Sequence, residues 1–287
     1  KSLSQSNNVT VVCRKINNEH LYPYSDVIVL PRSVPDRIKR FLKRKTGTGF
    51  NVSNPNFDKE VEEIIADNNI NVVLSHFGPN GVEINMVVSR LNIPHYTIIH
   101  GYDGSSLLKE KGYVRDLKAA KGIKYIFASR SMKSNFKSMA GIDSGEVIPL
   151  GISMPSEVAV TTKTFNYFFQ AANFVEKKGH IYTLKAFRKF LNFNRDFELV
   201  FAGDGPERKR LETFVKTNGL EGHVHFLGHC DQAIVKKHLA ECTALVHHSI
   251  TAVNGDQESI PTGIMEAMAS GTVVLSTNHS GIPEIIT

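Results

Sequence analysis

NVVLSHFGPNGVEINMVVSRLNIPHYTIIHG, residues 71–101, holds two short apolar runs with an amphipathic run between them. NVVLSHF (71–77) and HYTIIHG (95–101) are rich in Val and Ile and read as buried strands, while NGVEINMVVSRL (80–91) has the spacing of a helix. Strands that are apolar throughout and alternate with helices indicate a parallel sheet covered on both faces.

Outward from this unit the pattern repeats. TVVCR (10–14), DVIVL (26–30), KYIFAS (124–129) and EVIPLG (146–151) read as further strands, and KEVEEIIADNN (59–69) and SMKSNFKSMAG (131–141) as helices. A second series follows, with strands FNYFFQAA (165–172), FELVFAG (197–203), HVHFLG (223–228), TALVHHS (243–249) and TVVLST (272–277), and helices that include GHIYTLKAFRKFLNF (179–193) and AIVKKHLAEC (233–242). SMPSEVAVTTKT (153–164), polar and without periodicity, reads as the linker between the series. The expected fold is α/β with two Rossmann-like domains, 1–153 and 154–287. Open parallel sheets bind ligands beyond the C-terminal strand ends, so the cleft between two such domains is the expected active site.

With 287 residues, 41% of them hydrophobic, the chain is long enough for two real cores, and disordered or fibrous classes are excluded. No apolar run approaches the roughly 18 residues of a membrane span, and Lys1 to Thr10 lacks the apolar centre of a leader peptide. Of three cysteines, Cys230 and Cys242 fall on one helical segment and Cys13 stands apart, which suits neither a disulfide framework nor a zinc site. A reducing cytoplasm is the simplest location. The net charge of +6 favours polyanionic partners: nucleic acid, anionic lipid or phosphorylated small molecules. Much of the excess lies in Arg32 to Lys45, RSVPDRIKRFLKRK, where Ile38, Phe41 and Leu42 form an apolar stripe. Two readings fit that stretch equally, a helix on an anionic membrane surface or a solvated helix covering its own domain.

DQESIPTGIMEAMASG (256–271) carries the chemistry. Pro261 suits the first turn of a helix and Gly271 its stop. The leading amides near Thr262, Gly263 and Ile264, at the positive end of the helix dipole, make a socket for phosphate. Glu258 and Glu266 flank that socket, and carboxylates can only accept, so their partners are hydroxyls on either side of the phosphate. A ligand with phosphate in the middle and polyols at both ends is a nucleotide sugar. From spacing alone, a loop charge at Glu258 and a lysine-paired Glu266 on a purely structural helix fit equally well.

NGDQESIPTGIMEAMASG (254–271), with a strand and HSGIPEII (279–286) after it, closely resembles the signature of retaining glycosyltransferases of the GT4 family, which have the GT-B fold of two facing Rossmann-like domains. The Glu-x7-Glu spacing is present, and NGDQESIP and HSGIPE are most similar to the branch that builds bacterial exopolysaccharides such as colanic acid. NFVEKKG (173–179) resembles the family's phosphate-contacting loop, FAGDGPER (201–208) a later strand and turn, IIHGYDGS (98–105) the stretch whose histidine faces the donor sugar, and EVIPLGI (146–152) the final strand of the first domain.

The resemblance implies transfer of a hexose from a nucleoside diphosphate sugar to an acceptor hydroxyl with retention, in polysaccharide or glycolipid biosynthesis. Glu266 would accept bonds from the ribose hydroxyls and Glu258 would face the donor sugar. Lys178 would stabilise the departing diphosphate and His100 would position the sugar, with Asn173 and the 262–264 amides completing the donor site. His76 is a candidate for the acceptor side, and Gly228 to Asp231 for the base. The sequence has no Asp-x-Asp, so no metal or other cofactor is expected. The acceptor would be a saccharide or lipid-linked saccharide at the inner face of the membrane, and nucleic acid is not an expected partner.

Two departures qualify the match. Ala172 and Asn173 stand where the family has Gly-Arg, so a cation is missing and Lys177, Arg208 or Lys209 would have to replace it. The chain also reads as cut at both ends relative to the family. Three other functions compete: a nucleotide-sugar epimerase of the same fold, a non-catalytic nucleotide-sugar-binding partner subunit and a nucleic-acid-binding module, the last of which leaves the two glutamates without a role.

Overall fold

The computed structural model describes residues 7–16, 26–31, 55–152 and 166–286. The linker expected at 153–164 and the whole of Arg32 to Lys45 lie outside the described residues. Strands β1 (Val11–Cys13) and β2 (Val27–Val29) pair with each other. A four-stranded sheet has the order β3 (Val73–His76), β4 (His95–Ile99), β5 (Ile123–Phe127), β6 (Glu146–Val147). A five-stranded sheet has the order β11 (Val273–Ser276), β10 (Ala244–His247), β7 (Tyr167–Ala171), β8 (Glu198–Ala202), β9 (Val224–Phe226). Ladders β1–β2, β5–β6, β7–β8, β8–β9, β10–β7 and β10–β11 are all parallel, as continuous apolar strands require.

Helices α1 (Pro55–Asp67), α2 (Gly78–Arg90), α3 (Lys111–Ala119) and α4 (Arg130–Ala140) come before the second series of strands. Within it lie α5 (His180–Phe190), α6 (Arg208–Thr217), α7 (Gln232–Glu241) and α8 (Thr262–Ala269). Among the described residues no helix is long and apolar enough to cross a membrane. Cys230 and Cys242 flank α7 rather than lying on it, and neither they nor Cys13 forms a disulfide among the described residues.

Contacts divide the chain into two compact units, Lys1–Thr97 with Glu110–Lys124, and Ile98–Lys109 with Tyr125–Thr287. In the first, Val61 and Ile65 of α1 pack on Val87 and Val88 of α2. A buried polar line runs beside them: Ser75 Oγ lies 2.9 Å from His95 Nε2, and His95 Nδ1 lies 3.2 Å from Asn85 Oδ1. Burial pushes the His95 imidazole down to about 4.

In the second unit the period-2 alternation of strands sends successive residues into two cores, one on each face of the five-stranded sheet. Phe169, Val200 and Leu245 meet Ile264 and Ala267 of α8 on one face. Leu199, Phe201 and Val224 meet Leu184 and Phe187 of α5 and Leu211 of α6 on the other. The chain runs β7, β8, β9 in one direction, then returns to β10 and β11 on the other side of β7. The order therefore reverses between β7 and β10, and the loops leaving those two strands open the crevice where such sheets bind ligands.

The start of α4 is capped from far along the chain. Ser129 Oγ accepts the Met132 N–H at 3.1 Å, and the Glu284 carboxylate accepts the Arg130 and Ser131 N–H groups at 2.8 Å each. Three leading amides of the helix are thus satisfied, two of them by a charge at the positive end of the dipole. Glu284→Ala is expected to cost about 1 kcal/mol, read as a lower urea midpoint with an unchanged m-value; an unchanged midpoint would show that Ser129 caps the helix unaided.

Candidate active site

Two loops meet at the crevice between β7 and β10, both within the second unit. NFVEKKG (173–179) leaves β7, forms a 3-10 turn at Glu176–Lys178 and enters α5 through Gly179. Gly179 has φ +60, and a side chain there would run into the His248 carbonyl, so glycine is required by conformation and by space. The second loop follows β10 and contains NGDQES before α8.

The loops are joined by two ion pairs. Lys178 Nζ pairs with the Glu258 carboxylate, their side chains 17% and 14% exposed, and Lys177 Nζ lies 3.1 Å from Asp256 Oδ1. Neighbouring lysines on one loop thus meet alternate acids on the other. Burial pushes the Glu258 carboxyl up, but the Lys178 ammonium, by charge and hydrogen bond, outweighs it, and with Lys177 and His247 holds the group below its ordinary value. Glu258 is ionised at neutral pH.

Two histidines stand behind this pair. His180, the first residue of α5, is 2% exposed, and His247, the last of β10, is 1% exposed. None of their four ring nitrogens has a partner among the described residues. Burial pushes both imidazoles down to about 3; each also feels the Lys178 charge. His180 packs edge-on to Phe174 and Phe201, with centroids 4.7 and 5.4 Å away. Sequence reasoning passed over both residues. A histidine directly after KKG, and a second closing the apolar run TALVHHS, were the available signals.

The IIHGYDGS stretch reaches the same loop. A side chain at Gly101 would run into the Gln257 carbonyl and come within 3.5 Å of Lys177 Nζ. Ser105 Oγ accepts the Gln257 N–H at 3.0 Å, and Lys109 Nζ donates to the Asn254 carbonyl at 2.9 Å. His100 stands next to Gly101, its N–H held by Asp103 Oδ1 at 2.9 Å. His100, Lys177, Lys178 and Glu258 therefore lie on segments in mutual contact.

Pro261 is the N-cap of α8, one position before the first turn proposed for it, and Gly271 ends the helix with φ +68. The Ile264 N–H turns back to the Pro261 carbonyl at 3.1 Å, which leaves the Thr262 and Gly263 amides to lead the helix. Glu266 is half-buried; burial pushes its carboxyl up, against the pull of Lys236. Asn173 is exposed. Of the three bases that could replace the missing cation, Arg208 is held by Glu212 at 2.7 Å and Asp204 at 3.4 Å, and Lys209 is exposed. Lys177 alone of the three belongs to the paired cluster. His76, in the first unit, is exposed, and its carbonyl accepts from Asn80 Nδ2 at 2.8 Å.

Residues 156–287 match the family described as glycosyl transferases group 1. The protein assigned to colanic acid biosynthesis as glycosyltransferase WcaL of Escherichia coli (strain K12) is 30% identical over 234 residues, covering 75% of this chain and 55% of WcaL. The amylovoran biosynthesis glycosyltransferase AmsK of Erwinia amylovora is 38% identical over 115 residues, 40% of this chain and 28% of AmsK. The chain thus spans about half the length of WcaL, and less of AmsK.

Among solved structures, HepE of Anabaena in complex with UDP-glucose superposes with a TM-score of 0.67 at 18% identity, over 91% of this chain and 69% of HepE. Sucrose-phosphate synthase from Thermosynechococcus elongatus gives 0.67 at 16% identity, over 91% and 67%. At such identities the likeness speaks for the fold, α/β with parallel sheets as in GT-B glycosyltransferases. Residues 156–287, which bring both lysines and both flanking glutamates, are similar to the glycosyl transferases group 1 family.

Proposed function

We propose that this chain transfers a hexose from a nucleoside diphosphate sugar to an acceptor hydroxyl, with retention of configuration, in exopolysaccharide or glycolipid biosynthesis. The observation that carries the reading is the convergence of Lys177 and Lys178 with Asp256 and Glu258 where the strand order of the sheet reverses. The group 1 domain and the likeness to WcaL and AmsK support it.

Each residue has a role set by its chemistry. The Thr262 and Gly263 amides and Lys178 take the diphosphate, Glu266 the ribose hydroxyls, Glu258 and His100 the sugar. Lys177 supplies the cation that Asn173 lacks. Because each buried charge already has a counter-ion, donor binding exchanges one partner for another and exposes no bare charge. The bond from the anomeric carbon to the diphosphate oxygen then breaks while the acceptor oxygen bonds that carbon on the same face. The acceptor proton passes to the departing phosphate oxygen, whose charge Lys178 and the helix amides stabilise. No step needs a metal ion. Arg32 to Lys45 would bring the chain to an anionic cytoplasmic membrane surface, where a lipid-linked acceptor resides.

Calorimetric titration of UDP, GDP and ADP against this chain and against Glu266→Ala tests the donor site. One nucleotide is expected to bind saturably, uridine first because HepE holds UDP-glucose, with at least a tenfold loss in Glu266→Ala. Binding of none would sink the reading. Binding with no release of nucleoside diphosphate in the presence of acceptors would leave a nucleotide-sugar-binding subunit, and turnover of donor without acceptor would point to an epimerase.

A further inference from the structure

Gln170 is the one amide in β7, YFFQA, the central strand of its sheet. It is fully buried and opposite Phe201 across the ladder to β8. By the alternation of the strand it shares a face with Phe168, and Phe168 and Phe201 both belong to the aromatic core formed with Phe174 and Leu184. An amide there has to be paired. Its Nε2 donates to the Lys178 carbonyl at 2.8 Å, while its Oε1 has no partner among the described residues. An apolar residue of the same size would avoid the cost of that unpaired oxygen.

A group that costs stability at the centre of a core needs a reason to be there, and the reason in the structure is what it holds. The turn bearing Lys178 is tied by three backbone bonds, Lys178 N–H to Val175 O at 3.0 Å, Gly179 N–H to Glu176 O at 3.0 Å and Ile250 N–H to Lys177 O at 2.9 Å. Gln170 adds a fourth, from the rigid strand to the peptide of Lys178 itself. We propose that Gln170 is a positioning residue for sugar transfer: by anchoring the Lys178 peptide to β7 it aims the ammonium at Glu258 and at the diphosphate. This rests on the role given to Lys178 above. A turn free to rock by an ångström would keep its charge and lose its aim.

The variants are Gln170→Met, of similar size without the amide, and Gln170→Glu, which sets an acceptor against the carbonyl. Gln170→Met is expected to melt at or above the temperature of the parent chain, to keep the donor KM within threefold and to lose at least tenfold in kcat. Gln170→Met combined with Lys178→Ala should turn over no more slowly than Lys178→Ala alone, since Gln170 acts through that lysine. Independent of turnover, a stability cycle on Lys178→Ala and Glu258→Gln, run with and without Gln170→Met, should show the coupling between the two in the folding constant fall at least fivefold. An unchanged coupling, a kcat within twofold of the parent or losses that multiply in the double variant would overturn the proposal. So would failure of both Gln170 variants to fold, which would make the side chain structural. A parent chain without turnover would sink the transferase reading, and the stability cycle would still judge Gln170.

Discussion

Lys178→Ala is expected to lower kcat for sugar transfer by about 10²–10³, the usual effect of removing one preorganised donor from a developing anion. The expected mechanism is specific to where the side chain lies. Its partner Glu258 is on a different loop 80 positions on, and both side chains are largely buried, so truncation removes the cation proposed for the diphosphate and also strands a carboxylate. Breaking a buried pair from one side costs about 3–5 kcal/mol of stability, so the single variant should also melt early. Lys178→Ala combined with Glu258→Gln separates the two effects: the charge left alone is gone, stability should largely return, and turnover should not. Steady-state release of nucleoside diphosphate and thermal melting on the same preparations decide it. A single variant within threefold of the parent in kcat would remove Lys178 from the chemistry. Recovery of turnover in the double variant would show that the lysine serves only to neutralise Glu258.

Those pairings mark the limit of what could be read from the sequence. The strands were legible because parallel strands buried on both faces are simple apolar runs: ten of the eleven named runs contain a strand of the structure, and KYIFAS holds all but the first residue of β5. Helices α3 and α6 were not named. The first, KGYVRDLKA, has nine residues with a glycine at its second position, and in the second, RKRLETFVKT, Leu211, Phe214 and Val215 are the whole apolar stripe among basic residues. Motif spacing singles out the candidate site residues one by one, but not their mutual arrangement. Lys178 was given to the diphosphate and Glu258 to the sugar as separate roles, and nothing local in EKKG or GDQES says that the two face each other. That follows from the reversal of strand order, which sets the loop after β7 beside the loop after β10. The buried partners were hidden for a related reason. His180, His247 and Gln170 are polar letters inside apolar or basic strings, and only the folded sheet shows that they surround the lysine turn.

Acid should unfold the second unit sooner than the first. His180 and His247 have folded-state values pushed down to about 3, and His95 in the first unit to about 4, against about 6.5 for an unfolded histidine. As pH falls below the unfolded value, the unfolded chain takes up protons that the folded chain refuses, so stability falls with pH, by about 1.4 kcal/mol per pH unit for each such histidine. The second unit should lose at least about 3 kcal/mol per pH unit between pH 6 and 4 from these two, with His238, His248 and His279, also held down by burial, adding to the same sign, and the first about 1.4 kcal/mol from His95. Glu258 adds a later loss of the same sign, because its folded value lies below the ordinary one and its contribution disappears as pH falls through that folded value. Glu266, raised by burial, works weakly the other way. Since a domain has only about 5–15 kcal/mol in hand, a loss of roughly 6 kcal/mol over those two pH units takes a large share of the second unit's stability. Urea titrations at half-unit steps of pH, followed by hydrogen exchange at peptide resolution, would show the two units separately. His180→Phe, which puts an aromatic ring between Phe174 and Phe201 and removes one titrating group, should flatten the slope of the second unit by about 1.4 kcal/mol per pH unit. Equal slopes in the two units, or no change on that substitution, would mean that the buried imidazoles find protons in the folded state, and hence that the Lys178 site is open to water.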